Sequence, residues 1–156
     1  MNRRYSKTVY AGTLAIGGNT PISVQSMLNA AADDIAGNVA QAIALEQAGC
    51  QMVRVAIPNK NAVALIPAIK EVVTIPLVAD IHFDYRLALE AAAAGIDKIR
   101  INPGNIGSDD RVKAVAKVCR EKNIPIRIGV NSGSVEKEIL KKYGGPTPQA
   151  HCESAL

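Results

Sequence analysis

The stretch Lys98-Ile99-Arg100-Ile101-Asn102-Pro103-Gly104-Asn105 decides how the rest of the chain is read. Its centre is an arginine held between two β-branched residues. The same pattern returns as Val53-Arg54-Val55 and as Ile126-Arg127-Ile128. Two of the copies share a longer frame in which Ala-Gly precedes the triplet, from Ala48 to Val55 and from Ala94 to Ile101. Isoleucine and valine flanking a single residue mark a buried strand. Arginine is almost never buried without a partner. Three strands that each carry one arginine therefore ask for an anion.

Outward from this stretch, β and α signals alternate. Residues 7–20 predict a β-hairpin turning near Gly12. After Pro21, strands are predicted over 22–27, 52–57, 77–82, 98–102 and 125–130. A helix over 34–48, with acidic residues in its first turn, closes at Gly49. A second runs over 61–72, where Pro67 demands a kink or a late restart. Asp84 caps a helix to Ala94, closed by Gly95, and Ser108 caps another to Lys122. Ser134 caps a helix reaching Tyr143, and Thr147-Pro148 opens one more in the favoured N-cap and N1 positions.

Five successive β-α units predict an α/β fold with a parallel sheet. No strand is followed by Gly-x-Gly-x-x-Gly, which disfavours a dinucleotide-binding order. Polar residues gather instead at the C-terminal ends of the predicted strands, where a (β/α)8 TIM barrel keeps its site. Such a barrel takes about 250 residues. The 156 residues of the chain are therefore expected to supply its N-terminal part, a hairpin over 7–20 and about five units over 21–156.

Composition agrees. Apolar residues make up 48%, with four Tyr, one Phe and no Trp, so Ala, Ile and Val fill the core. A net charge of +4 is too mild and too scattered for a nucleic-acid-binding stripe. No apolar run reaches transmembrane length, and Met1-Asn2-Arg3-Arg4-Tyr5 leads into no signal-like segment, so the expected location is cytoplasmic, with no membrane partner. Cys50, Cys119 and Cys152 stand far apart, which speaks against a disulfide framework and against a zinc site; Cys50 and Cys119 read as buried thiols. No metal ligands are expected in this chain.

Residues two apart on a strand share a face. Arg100 therefore points with Asn102, Arg127 with Gly129 and Asn131, and Asp80 with His82; Arg54 and Gln25 are the polar members of the first two strands. Three arginines against one aspartate leave an excess of about two positive charges, and guanidinium forks match phosphate oxygens while staying charged when desolvated. Asn102-Pro103-Gly104-Asn105 offers a tight turn with exposed backbone N–H groups beside them. A diphosphate or cyclic diphosphate fits better than a carboxylate. Asp80 either belongs to that chemistry or simply neutralises an arginine.

Four blocks resemble the bacterial 4-hydroxy-3-methylbut-2-enyl diphosphate synthases. They are Val24-Gln25-Ser26-Met27, the run from Pro76 to Arg86 containing Asp80-Ile81-His82, Arg100 to Gly107, and Pro125 to Asn131. The resemblance spans nearly the whole chain. It implies an oxidoreductase of the non-mevalonate isoprenoid pathway, built from a TIM barrel and a separate C-terminal domain with a 4Fe-4S cluster. The substrate implied is 2-C-methyl-D-erythritol 2,4-cyclodiphosphate, reduced with electrons from flavodoxin or ferredoxin, in an enzyme expected to be a homodimer. Substrate-binding residues would be Arg54, Asp80, His82, Arg100, Asn102, Arg127 and Asn131, with Gln25; Asp80 and His82, the candidate catalytic pair, would either hold the ring hydroxyl or relay a proton. The chain departs from the family in lacking its cluster ligands, so no cofactor is expected on it and it is not expected to turn over alone. Two other readings stand beside this one: a non-redox phosphate-binding barrel of the pterin-binding type, and a non-catalytic segment that self-associates through open sheet edges.

Overall fold

Alternation along the strands sorts their side chains onto two faces, and each face is covered by a different part of the chain. In the computed structural model, which describes residues 4–156, five strands form one parallel sheet in the order β3-β4-β5-β6-β7. They are β3 (Gln25–Met27), β4 (Met52–Ala56), β5 (Leu77–Ile81), β6 (Lys98–Ile101) and β7 (Ile126–Ile128). The residues 1–3 read above as opening without a signal segment lie outside the described ones. Val53, Val55, Leu77, Ala79, Ile81, Ile99 and Ile101 point to the outer face, where they form the main core with the helices. Helix α1 (Ile35–Gln47), α2 (Leu65–Lys70), α3 (Tyr85–Ala93) and α5 (Asp109–Glu121) cover that face. Crossover connections through a helix are what parallel strands require.

The inner face has a second, smaller core. The predicted hairpin is present as β1 (Val9–Ala11) and β2 (Leu14–Ile16), antiparallel, with Gly12 at φ +53° in the turn. Ala11, fully buried, packs with Met52 and Val78, and Leu14 and Ile16 lean on the same cluster. The hairpin thus caps the inner face at the N-terminal ends of β4 and β5. Asp97 secures this end: its carboxylate accepts from the Leu77 N–H at 2.9 Å and meets Lys70 Nζ at 2.6 Å.

Several local expectations change in detail. The first strand is shorter than 22–27, because it is an edge: the Val24 N–H goes to the Gln51 side chain rather than to a ladder. No acid lies in the first turn of α1; Asp34 is its N-cap, accepting from the Gly37 N–H at 2.8 Å. Pro67 forces the late restart, with a 3-10 turn over Asn61–Ala64 before α2 begins. Asp84 and Thr147 cap as read, the latter opening α7 (Pro148–Ser154). Ser108 occupies the N-cap position of α5, but its side chain makes no cap bond. Ser134 caps no helix either; α6 (Lys137–Tyr143) starts behind Glu136. No helix among the described residues is long and apolar enough to cross a membrane.

Candidate functional site

Strand register decides which polar residues meet. Asp80 pairs with Ala56 on one side and with Arg100 on the other, and Arg100 pairs with Arg127. Paired residues of a parallel sheet present their side chains to the same face, so this row lines the inner surface. The row below it holds Met27, Arg54, Val78 and Lys98. Gln25 lies lower still, level with Met52 near the hairpin. The structure therefore brings Arg54, Asp80, His82 and Arg100 into contact and leaves Gln25 apart from them.

Asp80 is the hub of this face. Only 2% exposed, it binds Arg100 through Oδ1 at 3.0 Å and Arg54 through Oδ2 at 3.2 Å, with His82 Nε2 3.4 Å from Oδ2. Both carboxylate oxygens are thereby used, and the pair of arginines stays poised with fixed geometry. Arg54 also donates through Nε to the Met27 sulfur at 3.2 Å. Arg100 donates a further bond to the Gly129 carbonyl at 3.2 Å. This crossing explains the glycine: a Cβ at position 129 would stand 2.5 Å from Arg100 Nε. Arg127 is exposed and makes no salt bridge among the described residues.

Lys98 joins this face although the sequence reading passed over it. Its neighbour Ile99 is fully buried in the outer core, so Lys98 must point inward. Burial, and next the charge of Arg127, hold its ammonium below the usual lysine range. The same period-two spacing that joined Arg100 to Asn102 also reaches back to Lys98; counting guanidinium groups alone concealed it. The face therefore carries Arg54, Arg100, Arg127 and Lys98 against one carboxylate, a larger cationic excess than the arginines suggested.

The strand exits are built differently from the expectation. Asn102 is 1% exposed and donates through Nδ2 to Ser134 Oγ at 2.7 Å. The turn after it is a single helical turn, α4 (Pro103–Ile106). Its N–H groups at Asn105 and Ile106 both donate to the Asn102 carbonyl, at 3.0 and 3.1 Å, so they are not free for a ligand. Asn131 is exposed, and its backbone is tied to the same Ser134 hydroxyl. Neither Ser134 nor Gly104 was among the expected site residues. Gly104 passes so close to the Ser134 carbonyl that no Cβ fits between them.

The cysteines offer no seat for an iron-sulfur cluster. Cys50 and Cys119 are buried, on the α1–β4 turn and in α5, and Cys152 is exposed on α7. Cys50 Sγ donates to the Met52 carbonyl at 3.1 Å, and burial pushes the Cys119 thiol up. Among the described residues no group of three or more His, Cys, Asp or Glu stands close enough to share a metal.

Over all 156 residues the chain is 55% identical to the 4-hydroxy-3-methylbut-2-en-1-yl diphosphate synthase (flavodoxin) of Histophilus somni strain 2336, covering 42% of that protein. It is 54% identical to the enzyme of the same name from Maridesulfovibrio salexigens, covering 100% of this chain and 44% of that one. The chain thus spans less than half the length of the curated relatives it matches. Among solved structures, dihydropteroate synthase from Yersinia pestis superposes with a TM-score of 0.63 at 16% identity, over 96% of this chain and 59% of the other. The Vibrio fischeri ES114 enzyme gives 0.58 at 12% identity, over 96% and 63%. These structural likenesses speak for a shared barrel architecture alone. The sequence pattern, the five-stranded parallel sheet and a match of residues 6–156 to the GcpE TIM-barrel domain lead to one conclusion: the chain belongs to that family.

Proposed function

We propose that this chain forms the diphosphate-binding part of a 4-hydroxy-3-methylbut-2-en-1-yl diphosphate synthase. The enzyme would convert 2-C-methyl-D-erythritol 2,4-cyclodiphosphate by reductive ring opening and loss of water, in isoprenoid biosynthesis by the non-mevalonate route. The observation that carries the reading is the inner-face row around Asp80. Two arginines are pre-set by one carboxylate, and Arg127 and Lys98 add positive charge that no carboxylate of the described residues neutralises.

In this reading Arg54, Arg100 and Arg127 hold the phosphate oxygens, Lys98 adds to the field, and Asn102 and Asn131 bond the remaining polar atoms. Gln25 has a lesser part, since it sits towards the hairpin. Asp80 fixes the guanidinium groups in the geometry the ligand needs, which is where positioning yields rate. His82, at the open end of β5 and beside Asp80, would hold a ring hydroxyl or move a proton at it. A 4Fe-4S cluster would supply the reducing chemistry, fed by flavodoxin or ferredoxin. Its ligands would come from outside the described residues. A bacterial, cytoplasmic homodimer is part of the proposal, as is the inactivity of this chain by itself.

The test is Arg100→Ala in the protein at the length of its curated relatives. Losing a charge-assisted bond to phosphate is expected to weaken binding of the cyclodiphosphate on the order of 10- to 100-fold. Iron and sulfide content should stay at the parent level. Unchanged affinity in calorimetric titration would sink the reading.

A further inference from the structure

One hydroxyl joins the exits of β6 and β7. Sheet pairing between these strands runs to Ile101 and Ile128, and the Gly129 N–H adds one more bond to the Ile101 carbonyl. Beyond that point the two chain segments would be free to part. Ser134 holds them. Its Oγ accepts from Asn102 Nδ2 at 2.7 Å and from the Asn131 N–H at 3.3 Å, and it donates to the Asn131 carbonyl at 3.1 Å. One donor and two acceptor positions exhaust what a serine hydroxyl offers. The backbone agrees: Gly104, in the turn after Asn102, is pressed against the Ser134 carbonyl so closely that only hydrogen fits.

Two further observations give this contact a purpose beyond folding. Serine at this place in the sequence would ordinarily cap the next helix, yet that helix begins at Lys137 behind Glu136 and leaves the hydroxyl unused for capping. Asn102 is 1% exposed, Ser134 Oγ is its side chain's partner, and the other amide atom, Oδ1, is buried without one. Turning the amide over would orphan the nitrogen instead. Either way half of this amide is left unspent, held in one direction by a single serine. Buried polar atoms without partners are rare and ask for a specific reason.

We infer that Ser134 is a positioning residue of the binding site: it sets the direction of the Asn102 amide and the backbone of Asn131, so that both asparagines meet the ligand together. This rests on the reading that Asn102 and Asn131 touch the substrate. Ser134 itself touches no ligand; it acts through the two residues it ties.

A double-mutant cycle in the protein at the length of its relatives tests this, with the Kd for the cyclodiphosphate read by calorimetry and melting followed in parallel. Ser134→Ala is expected to weaken binding roughly tenfold, as one lost hydrogen bond does. In an Asn102→Ala background the same change should cost clearly less, because only its hold on Asn131 is left to lose, whereas a merely structural role would add in full. Ser134→Thr should restore most of the affinity. Full additivity in the cycle, or parent affinity in Ser134→Ala alongside weakened binding in Asn102→Ala, overturns the inference and spares the functional reading. Parent affinity in Asn102→Ala itself overturns both. If Ser134→Ala does not fold, Ser134→Cys, which keeps the volume with a poorer hydrogen-bonding atom, is carried through the same cycle.

Discussion

Asp80 occupies a position that an isolated carboxylate could not hold. At 2% exposure it is tolerated because Arg54 and Arg100 approach it from neighbouring strands. Removing the charge leaves two guanidinium groups facing each other without a counter-ion. Asp80→Asn is therefore expected to destabilise the fold by about 3 kcal/mol, the low end for an uncompensated buried pair, since both arginines keep some contact with water. The shift of the urea midpoint checks this; an unchanged midpoint would remove Asp80 from the centre of the network. At this scale the sequence was partly readable. Alternation alone placed Asp80, Arg100 and Arg127 on one face. It also implied Lys98, which a count of guanidinium groups alone conceals. Ser134 was not readable, since its partners lie 32 and 3 residues away and only folding brings the longer one near.

Elements were legible in kind and order, and less so at their ends. The cap residues Asp84 and Thr147 act through bonds local to the chain, so the sequence exposes them, whereas Asp34 reads as a first-turn acid until the structure makes it the N-cap. Ser108 and Ser134 have the same local preference, yet in Ser134 a tertiary partner took the hydroxyl. Strand ends shortened where only one neighbour was present, as in β3. Links between elements were beyond the pattern altogether. Glu46, at the end of α1, accepts from Thr74 N and Oγ1 at 2.8 and 2.7 Å and from Ile75 N at 3.2 Å, tying α1 to the segment before β5. The Thr74 hydroxyl foremost, and then the Thr74 backbone, holds the Glu46 carboxyl below its ordinary value of 4.5. A carboxylate whose folded pKa is depressed adds stability above its unfolded pKa and loses it as the pH falls through the folded one. Glu46→Gln should therefore melt earlier than the parent near neutrality, and the two melting curves should converge in acid below the ordinary glutamate range. A gap that persists in acid would assign the effect to packing rather than to charge.

As a whole, the molecule is a parallel sheet with helices on its outer side and charge on its inner one. The parallel sheet has two edge strands, β3 and β7, each paired on one side among the described residues. Ile22, Val24 and Ile128, at 77%, 59% and 43% exposure, leave these margins apolar. Open apolar edges recruit further strands. The chain by itself is expected to associate as its concentration rises, and Ile128→Lys should weaken that association; light scattering over a dilution series reads both. A single species at every dilution would mean that these margins are inert. Membership of a barrel family was legible because every β-α unit repeats one pattern, so an error in one strand end leaves the sum unchanged.

The hairpin formed by β1 and β2 sits over Met52 and Val78 like a stopper in the neck of a flask. In a closed barrel, traffic to the arginine row then has one doorway, the rim where His82, Asn102 and Asn131 stand. Under the proposed function, substrate and product would share that doorway, and slow release from the arginines would hold back the next molecule.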